Sequence, residues 1–327
     1  MITLQRGLFV AGLALLVGAG WALGPAQVAA QVGAIGWGFA LILLAYAPMQ
    51  VFDTLGWRAA FCPGERLPGF GALMGIRLAG EALNILTPLG TLGGEPTKAL
   101  LLRERGVPLA TGAASVVVAR TLMAIAQIAF TMLGLALLLR RVGVGSELLA
   151  VLGLAPLALI PLLSLFMAWQ RRGLFATALR AARRLRLPSG WLARHATDLD
   201  RVDAALRAYY TAAGPAVWLS LAAFFAGWLG EALEVWVILR LMGRPVGALD
   251  AVALAASYAA ISGIFFLVPG NLGTQEVGSA ALFAAFGLSA QTGFAFSLIR
   301  RVMELAYVAG GLGCLRVQGG VPAAARK

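Results

Sequence analysis

Hydrophobic positions in this chain come in long unbroken runs, not in the alternating or every-third-residue patterns of a soluble domain. Runs at about 7–24, 33–54, 109–139, 147–169, 215–240 and 290–315 approach or exceed the ~20 residues that span a bilayer as a helix. They predict six full spans. Two further apolar stretches, 69–87 and 249–267, run into Pro/Gly breaks: LTPLGTLGGEPTK at 86–98 and VPGNLGTQE at 268–276. Only short apolar pieces follow, about 94–102 and 275–286. As helices these pieces rise roughly 14 to 18 Å, against a hydrocarbon core about 30 Å thick, so neither crosses alone.

Cationic residues orient these elements, because they collect on the cytoplasmic side of a membrane protein. The 171–207 loop holds nine arginines (171, 172, 180, 183, 184, 186, 194, 201 and 207) against three aspartates, which predicts a cytoplasmic loop. If each broken stretch enters and leaves on one side, Arg58, Arg66, Lys98, Arg103 and Arg105 also fall inside. Only Arg140, Arg141, Arg240 and Arg244 then fall outside. A single crossing by 69–102 would put the nine-arginine loop on the wrong side. The broken stretches are therefore expected to be re-entrant hairpins, the first entering from the cytoplasm and the second from outside, with both termini cytoplasmic. The opening MITLQRGLFVAGLALLVGAGWALGPAQVAA has signal-peptide features, but its apolar run nearly reaches spanning length and is expected to stay as an uncleaved first helix.

Composition agrees with an all-α polytopic membrane protein. Of 327 residues, 60% are hydrophobic and 12% charged, where soluble proteins carry about 25% charged residues; mean hydropathy is +0.86. The whole of 1–327 is expected to be one integral membrane domain, because the polar run at about 170–212 is too short and Arg-rich for an independent core. The net charge of +12 does not indicate nucleic acid, since the basic residues flank hydrophobic runs, where they meet anionic headgroups. Cys62 and Cys314 have no metal spacing and are expected to be free or buried thiols. His195 is the only histidine, so neither a metal nor a cofactor is expected.

The chain also repeats. One ungapped offset places Pro88 on Pro269, Glu95 on Glu276, Gly106 on Gly287, Thr111 on Thr292, Gly112 on Gly293 and Arg120 on Arg301. Trp37 falls on Trp218 as well. The repeats run from about 33–140 and 214–316, and the topology above makes them inverted. Inverted repeats with broken helices are the architecture of alternating-access transporters, whose site lies near the midplane. Irregular backbone at that depth is tolerated only where it is buried in protein or lines a wet cavity.

In this reading Pro88 ends the first inbound helix, Gly90, Gly93 and Gly94 make the turn, and Glu95 opens the outbound half-helix. Pro269, Gly270, Gly273 and Glu276 do the same in the second half. Two half-helix N-termini then point inward and favour an anion. Glu95 and Glu276 either stabilise their own first turns or face a substrate; an intramembrane carboxylate placed twice favours the second, given a cost of about 2.5–3.5 kcal/mol. Arg120 and Arg301, repeat mates without a partner on the same turn, suit a phosphate fork. Arg77 with Glu81, and Arg300 with Glu304, are spaced i, i+4 and either neutralise each other along a helix or, for Arg77, serve as a substrate contact; Glu231 and Glu234 add further charge at the same depth. Asn84 and Asn271 stand at the two turns, as substrate contacts or caps.

The run GEALNILTPLGTLGGEPTKALLLRERG, with the long span after it, resembles the membrane domain of lysylphosphatidylglycerol synthases and their stand-alone flippase-like relatives. FFLVPGNLGTQE and SLIRRVMEL are similar to that family's second half, so the resemblance covers nearly the whole chain. It implies translocation of lipids with anionic or aminoacylated headgroups across a bacterial cytoplasmic membrane; a hopanoid-pathway relative has a similar length. Nothing in these residues corresponds to the soluble aminoacyl-transferase domain, so aminoacylation is not expected of them. Arg120, Arg301 and the half-helix N-termini would hold a phosphate, and Glu95 and Glu276 an amine or hydroxyls. The alternatives are a proton-coupled small-solute transporter and an intramembrane lipid-modifying enzyme. The enzyme is disfavoured because H-E-x-x-H, G-x-S-x-G, Asp-rich and nucleotide-binding motifs are all missing. No catalytic residue is assigned, nucleic acid is not expected as a partner, and a homo-oligomer is left open.

Overall fold

The computed structural model describes residues 13–86, 91–142, 147–185, 190, 194–212, 214–265 and 268–319, with no strand among them. The first apolar run is bent. Helix α1 (Leu13–Ala22) meets α2 (Pro25–Gly33) at 94°. Gly24, at φ 86°, makes the corner, and Pro25 opens α2, where a missing N–H costs nothing. The start of the expected 7–24 span lies outside the described residues.

The first half of the bundle is α3 (Gly38–Ala59), α4 (Phe70–Leu86), α5 (Thr91–Glu104) and α6 (Leu109–Val142). Then come α7 (Glu147–Arg172), α8 (Leu174–Arg184) and α9 (Ala196–Ala212). The second half is α10 (Pro215–Leu241), α11 (Ala248–Ile264), a 3-10 turn at Pro269–Asn271, α12 (Thr274–Ala285) and α13 (Ala290–Val317). Among the described residues, Gly38–Ala59, Leu109–Leu139 and Pro215–Leu241 are long and apolar enough to cross a membrane, with the bent α1–α2 pair a fourth candidate. Helices α7 and α13 have the length, at 26 and 28 residues, but α13 carries Arg300, Arg301 and Glu304 in its middle. The α4–α5 and α11–α12 pairs are short. Even their longest members, 17 residues each, rise only about 26 Å.

Packing interlocks the halves. Helices α3 and α10 make the largest contact in the bundle. It is close because Gly227 and Gly230 of α10 leave room for Asp53 and the backbone of Met49, as small residues do between membrane helices. Helix α4 then packs on α13 of the other half, and α11, in the matching place of the second half, packs on α6. Both main cores are accordingly mixed: one adds Ile42, Phe130 and Leu138 to second-half residues, the other adds Phe224 and Leu315 to first-half residues.

The described helices of the polar 170–212 segment, α8 and α9, fold against this bundle. Asp203 of α9 accepts from the N–H groups of Phe175 at 3.1 Å and Ala176 at 2.9 Å, capping the start of α8. Leu206 and Tyr209 enter the first-half core. The Tyr210 hydroxyl donates to Gln170, which donates to Thr121. Burial pushes the Tyr210 phenol up to about 12, with Arg171 opposing, so it stays a neutral donor.

Candidate functional site

Each half brings a charged network to its α-helical hairpin, and the first is the denser. Glu95 is on the second turn of α5. Its Oε1 accepts from Arg120 Nε of α6 at 2.7 Å, Lys98 Nζ at 3.0 Å and Asn84 Nδ2 of α4 at 2.9 Å. Arg120 Nη2 also bonds Glu95 and reaches both oxygens of Glu81, at 2.8 and 3.0 Å. Lys98 Nζ binds Glu81 as well, at 2.6 Å. Two carboxylates thus share two cations across three helices, which suits a guanidinium fork better than a point charge. Asn84 adds a backbone tie, its Oδ1 accepting from Gly94 N at 2.9 Å. Next to this, Arg77 donates to Thr54, to Asp53 at 3.2 Å and to Gln50, all of α3.

The second half repeats the central pair. Glu276, in the first turn of α12, is fully buried and accepts from Arg301 Nη2 at 2.7 Å and Nε at 3.2 Å. Arg301 Nη1 also donates to the Gly270 carbonyl at 2.7 Å, so one guanidinium ties helix α13 to both the turn and the half-helix. The turn itself needs left-handed backbone: Gly270, Asn271 and Gly273 have φ of 61°, 49° and 76°. Asn271 donates to the Ser262 carbonyl, and Gln275 to the Ser262 hydroxyl. Deeper in the bundle, Arg300 binds Glu231 at 2.6 Å and lies 3.2 Å from Glu234, with Tyr258 under its guanidinium.

Two cavities meet at the first network. A central cavity of about 190 Å³ draws on both halves, with Arg77, Glu81 and Arg120 from one and Trp228, Glu304 and Tyr307 from the other. A second, of about 1240 Å³, runs between α5–α6 and α7–α9 over apolar Leu100, Val116, Val117 and Phe166. Glu95, Arg120, Arg103, Asp198 and Arg201 put charge on its wall. Arg120 borders both spaces. Its ion pairs with Glu81 and Glu95 therefore lie where the charged chamber and the apolar groove adjoin.

The lysylphosphatidylglycerol synthase TM region matches residues 9–311 of the chain. The chain belongs to that family. No curated protein and no solved structure matches it. Family membership and the apolar helices together make this a helical membrane protein with a lipid-related role.

Several site residues of this family member sit differently from expectation. Arg120 and Arg301, without a partner on the same turn, find one on a neighbouring helix: the hairpin glutamate of their own half, joined at Arg120 by Glu81. Arg77 and Glu81 form no direct ion pair: Arg77 serves Asp53, and Glu81 serves Lys98 and Arg120. Arg300 likewise turns to Glu231 and Glu234 instead of Glu304. Lys98, expected among the cytoplasmic flanking cations, is buried at 4% exposure inside the first network. Gly93 and Gly94 lie within α5, not in the turn before it. A Cβ on Gly94 would sit 1.9 Å from the Gly80 carbonyl, so this glycine permits contact between α4 and α5. Pro88 and Gly90 lie outside the described residues, and the position of Pro269 starts the 3-10 turn. Sequence reasoning missed Gln50, Asp53 and Lys98. The repeat offset held a signal for two of them, since it sets Gln50 on Glu231 and Asp53 on Glu234.

Proposed function

We propose that this protein translocates a polar-headgroup lipid across the bacterial cytoplasmic membrane by alternating access between two inverted repeats. One observation carries the reading: a cavity with five charged side chains on its wall adjoins a larger, mainly apolar groove at Arg120, which is the division of space an amphiphile needs. The headgroup, anionic or aminoacylated, enters the chamber while acyl chains keep to the groove and the bilayer. A headgroup phosphate takes the Arg120 fork by displacing Glu95 or Glu81, and a headgroup amine takes the carboxylates thereby released. Arg301 and Glu276 act in the same way from the second half. Asn84 and Asn271 hold the hairpins, and Arg77 borders the chamber. The reading supposes six spans, counting α7 and α13, with α4–α5 and α11–α12 re-entrant and both termini cytoplasmic. The matched element bounds and the reciprocal α4–α13 and α11–α6 packing support it. Translocation leaves the lipid chemically unchanged, so no enzymatic step is assigned to the chain.

The test uses purified protein in liposomes with fluorescent phosphatidylglycerol and amine-bearing phospholipid analogues, scored for movement between leaflets. Protein-dependent movement is expected, with Glu95→Gln and Glu276→Gln folded but slowed about tenfold, the effect of roughly 1.4 kcal/mol. Movement no faster than in empty liposomes would overturn the reading. Fully active, stable Gln variants would move the site elsewhere. Recovery of lipids with altered headgroups would instead make the chain an enzyme.

A further inference from the structure

Buried polar groups are normally hydrogen-bonded, and the cluster around Arg300 departs from that at four atoms. Glu231 Oε2, both carboxylate oxygens of Glu234 and Arg300 Nε have no hydrogen-bond partner. These side chains are 5%, 0% and 5% exposed, so bulk solvent does not supply one. Charge is unbalanced as well. Among the described residues, Arg300 is the one guanidinium set against Glu231 and Glu234, with Glu304 a turn further along α13, while Arg301 is committed to Glu276. Around Glu234, α3 contributes Tyr46, α10 contributes Glu231, and α13 contributes Arg300, Glu304 and Tyr307. Helix α11 presents Tyr258 to Arg300 at 4.5 Å, and among the described residues α6 presents no charged group to Glu234. A bare carboxylate buried beside another is strongly disfavoured, and sharing a proton relieves both the repulsion and the missing hydrogen bond.

The first half supplies an internal comparison. At the positions matching Glu231 and Glu234 stand Gln50 and Asp53, served by Arg77. There one guanidinium meets one carboxylate, and no buried polar atom of Gln50, Asp53 or Arg77 lacks a partner. The second half has Glu231 where the first has Gln50, Glu234 where the first has Asp53, and an arginine from α13 where the first uses one from α4. Glutamine is the neutral, hydrogen-donating isostere of a protonated glutamate. Tyr46, Glu304 and Tyr307, which surround Glu234, line the central cavity.

We propose that Glu231 and Glu234 share one proton, exchanged with the central cavity by way of Glu304, and that this site couples transport to a proton gradient. A proton passes from water to the Glu304 carboxylate and on to the pair, leaving one O–H bond there and changing no other bond. The proton site stands on the geometry of the cluster; the coupling rests on the translocation reading. The isostere also makes a directional statement: Glu231→Gln leaves one amide and one carboxylate facing one guanidinium, as in the first half, so it folds and no longer takes up the proton.

Infrared difference spectra of the full chain in lipid, recorded across a pH titration, test the proton site without any transport assay. A protonated-carboxyl carbonyl band that shifts in heavy water is expected in the wild type and absent in Glu231→Gln and Glu234→Gln. No titrating band in the wild type, or one that survives both substitutions, overturns the site and makes the cluster a fixed ion pair. If a variant fails to fold, the wild-type titration still decides. In liposomes, coupling of one proton per lipid displaces the leaflet distribution about tenfold for each pH unit across the membrane. Lipid movement indifferent to the gradient overturns the coupling. A titrating band in a protein that moves no lipid overturns the translocation reading and leaves the proton site standing.

Discussion

Removing the ammonium of Lys98 leaves Glu81 and Glu95 to share Arg120 alone. Lys98 is buried, and losing one member of a buried network is strongly destabilising. Glu81 is 29% and Glu95 15% exposed, which softens the effect, so Lys98→Met is expected to lose about 3 kcal/mol. Thermal melts in lipid check this against Glu81→Gln/Lys98→Met, which removes one charge of each sign and should recover part of the loss. At Arg120 the geometry matters more than the charge. Its Nε and Nη2 address two carboxylates from different helices, so Arg120→Lys should keep one ion pair and forfeit the fork. Partial retention of anionic-lipid binding in Lys, and none in Ala, is the expected pattern in a copurification assay. Equal loss of folded protein in both would make the pairs purely structural.

Among elements, the hairpin α4–α5 depends on a missing methyl group. A Cβ at residue 94 would also meet Asn84 Oδ1 at 2.4 Å, so the helices must part before any side chain fits. Gly94→Ala should cost about 1–3 kcal/mol as an overpacked contact and loosen the Asn84 bond to Gly94 N. Lowered thermal stability with reduced translocation is the expected readout; an unchanged melt would count against this packing. The α8–α9 unit makes a separate prediction. Asp203 satisfies two N–H groups at the start of α8, and Asp203→Ala should cost about 1–2 kcal/mol, the range for a lost cap. Limited proteolysis between α8 and α9 should become faster in that variant.

The arrangement of the whole molecule can be tested without transport. In a background with Cys62 and Cys314 replaced, a cysteine at Arg105, which is exposed beyond α5, should react with an impermeant reagent from the cytoplasm only. One at Leu249, 67% exposed at the start of α11, should react from the outside only. Labelling of both positions from one side would sink the inverted repeat. Lys98 is unsuitable for this assay, since its burial within the network protects it from either side.

Long apolar runs, the two Pro/Gly breaks and the offset pairing Glu95 with Glu276 and Arg120 with Arg301 were all present in the linear chain. From them followed a helical membrane protein and its broken hairpins; the family came from a resemblance carried by the motifs around the two breaks. Those features are legible because burial in lipid requires uninterrupted apolar length, and because a repeat preserves spacing along one dimension. What each charge touches was not legible. Helical spacing suggested Arg77 with Glu81 and Arg300 with Glu304, yet Arg77 reaches Asp53 and Arg300 reaches Glu231, across helix pairs that only packing brings together. Lys98 looked like a flanking cation because hydropathy cannot tell a residue that faces water from one that faces a buried carboxylate. Gly94 looked like a turn residue because glycine serves both a turn and a close helix contact. The chain determined which charges are placed in the membrane domain. The tertiary structure alone decided their partners, since ion pairs form between side chains adjacent in space, and the interlocked halves set that adjacency.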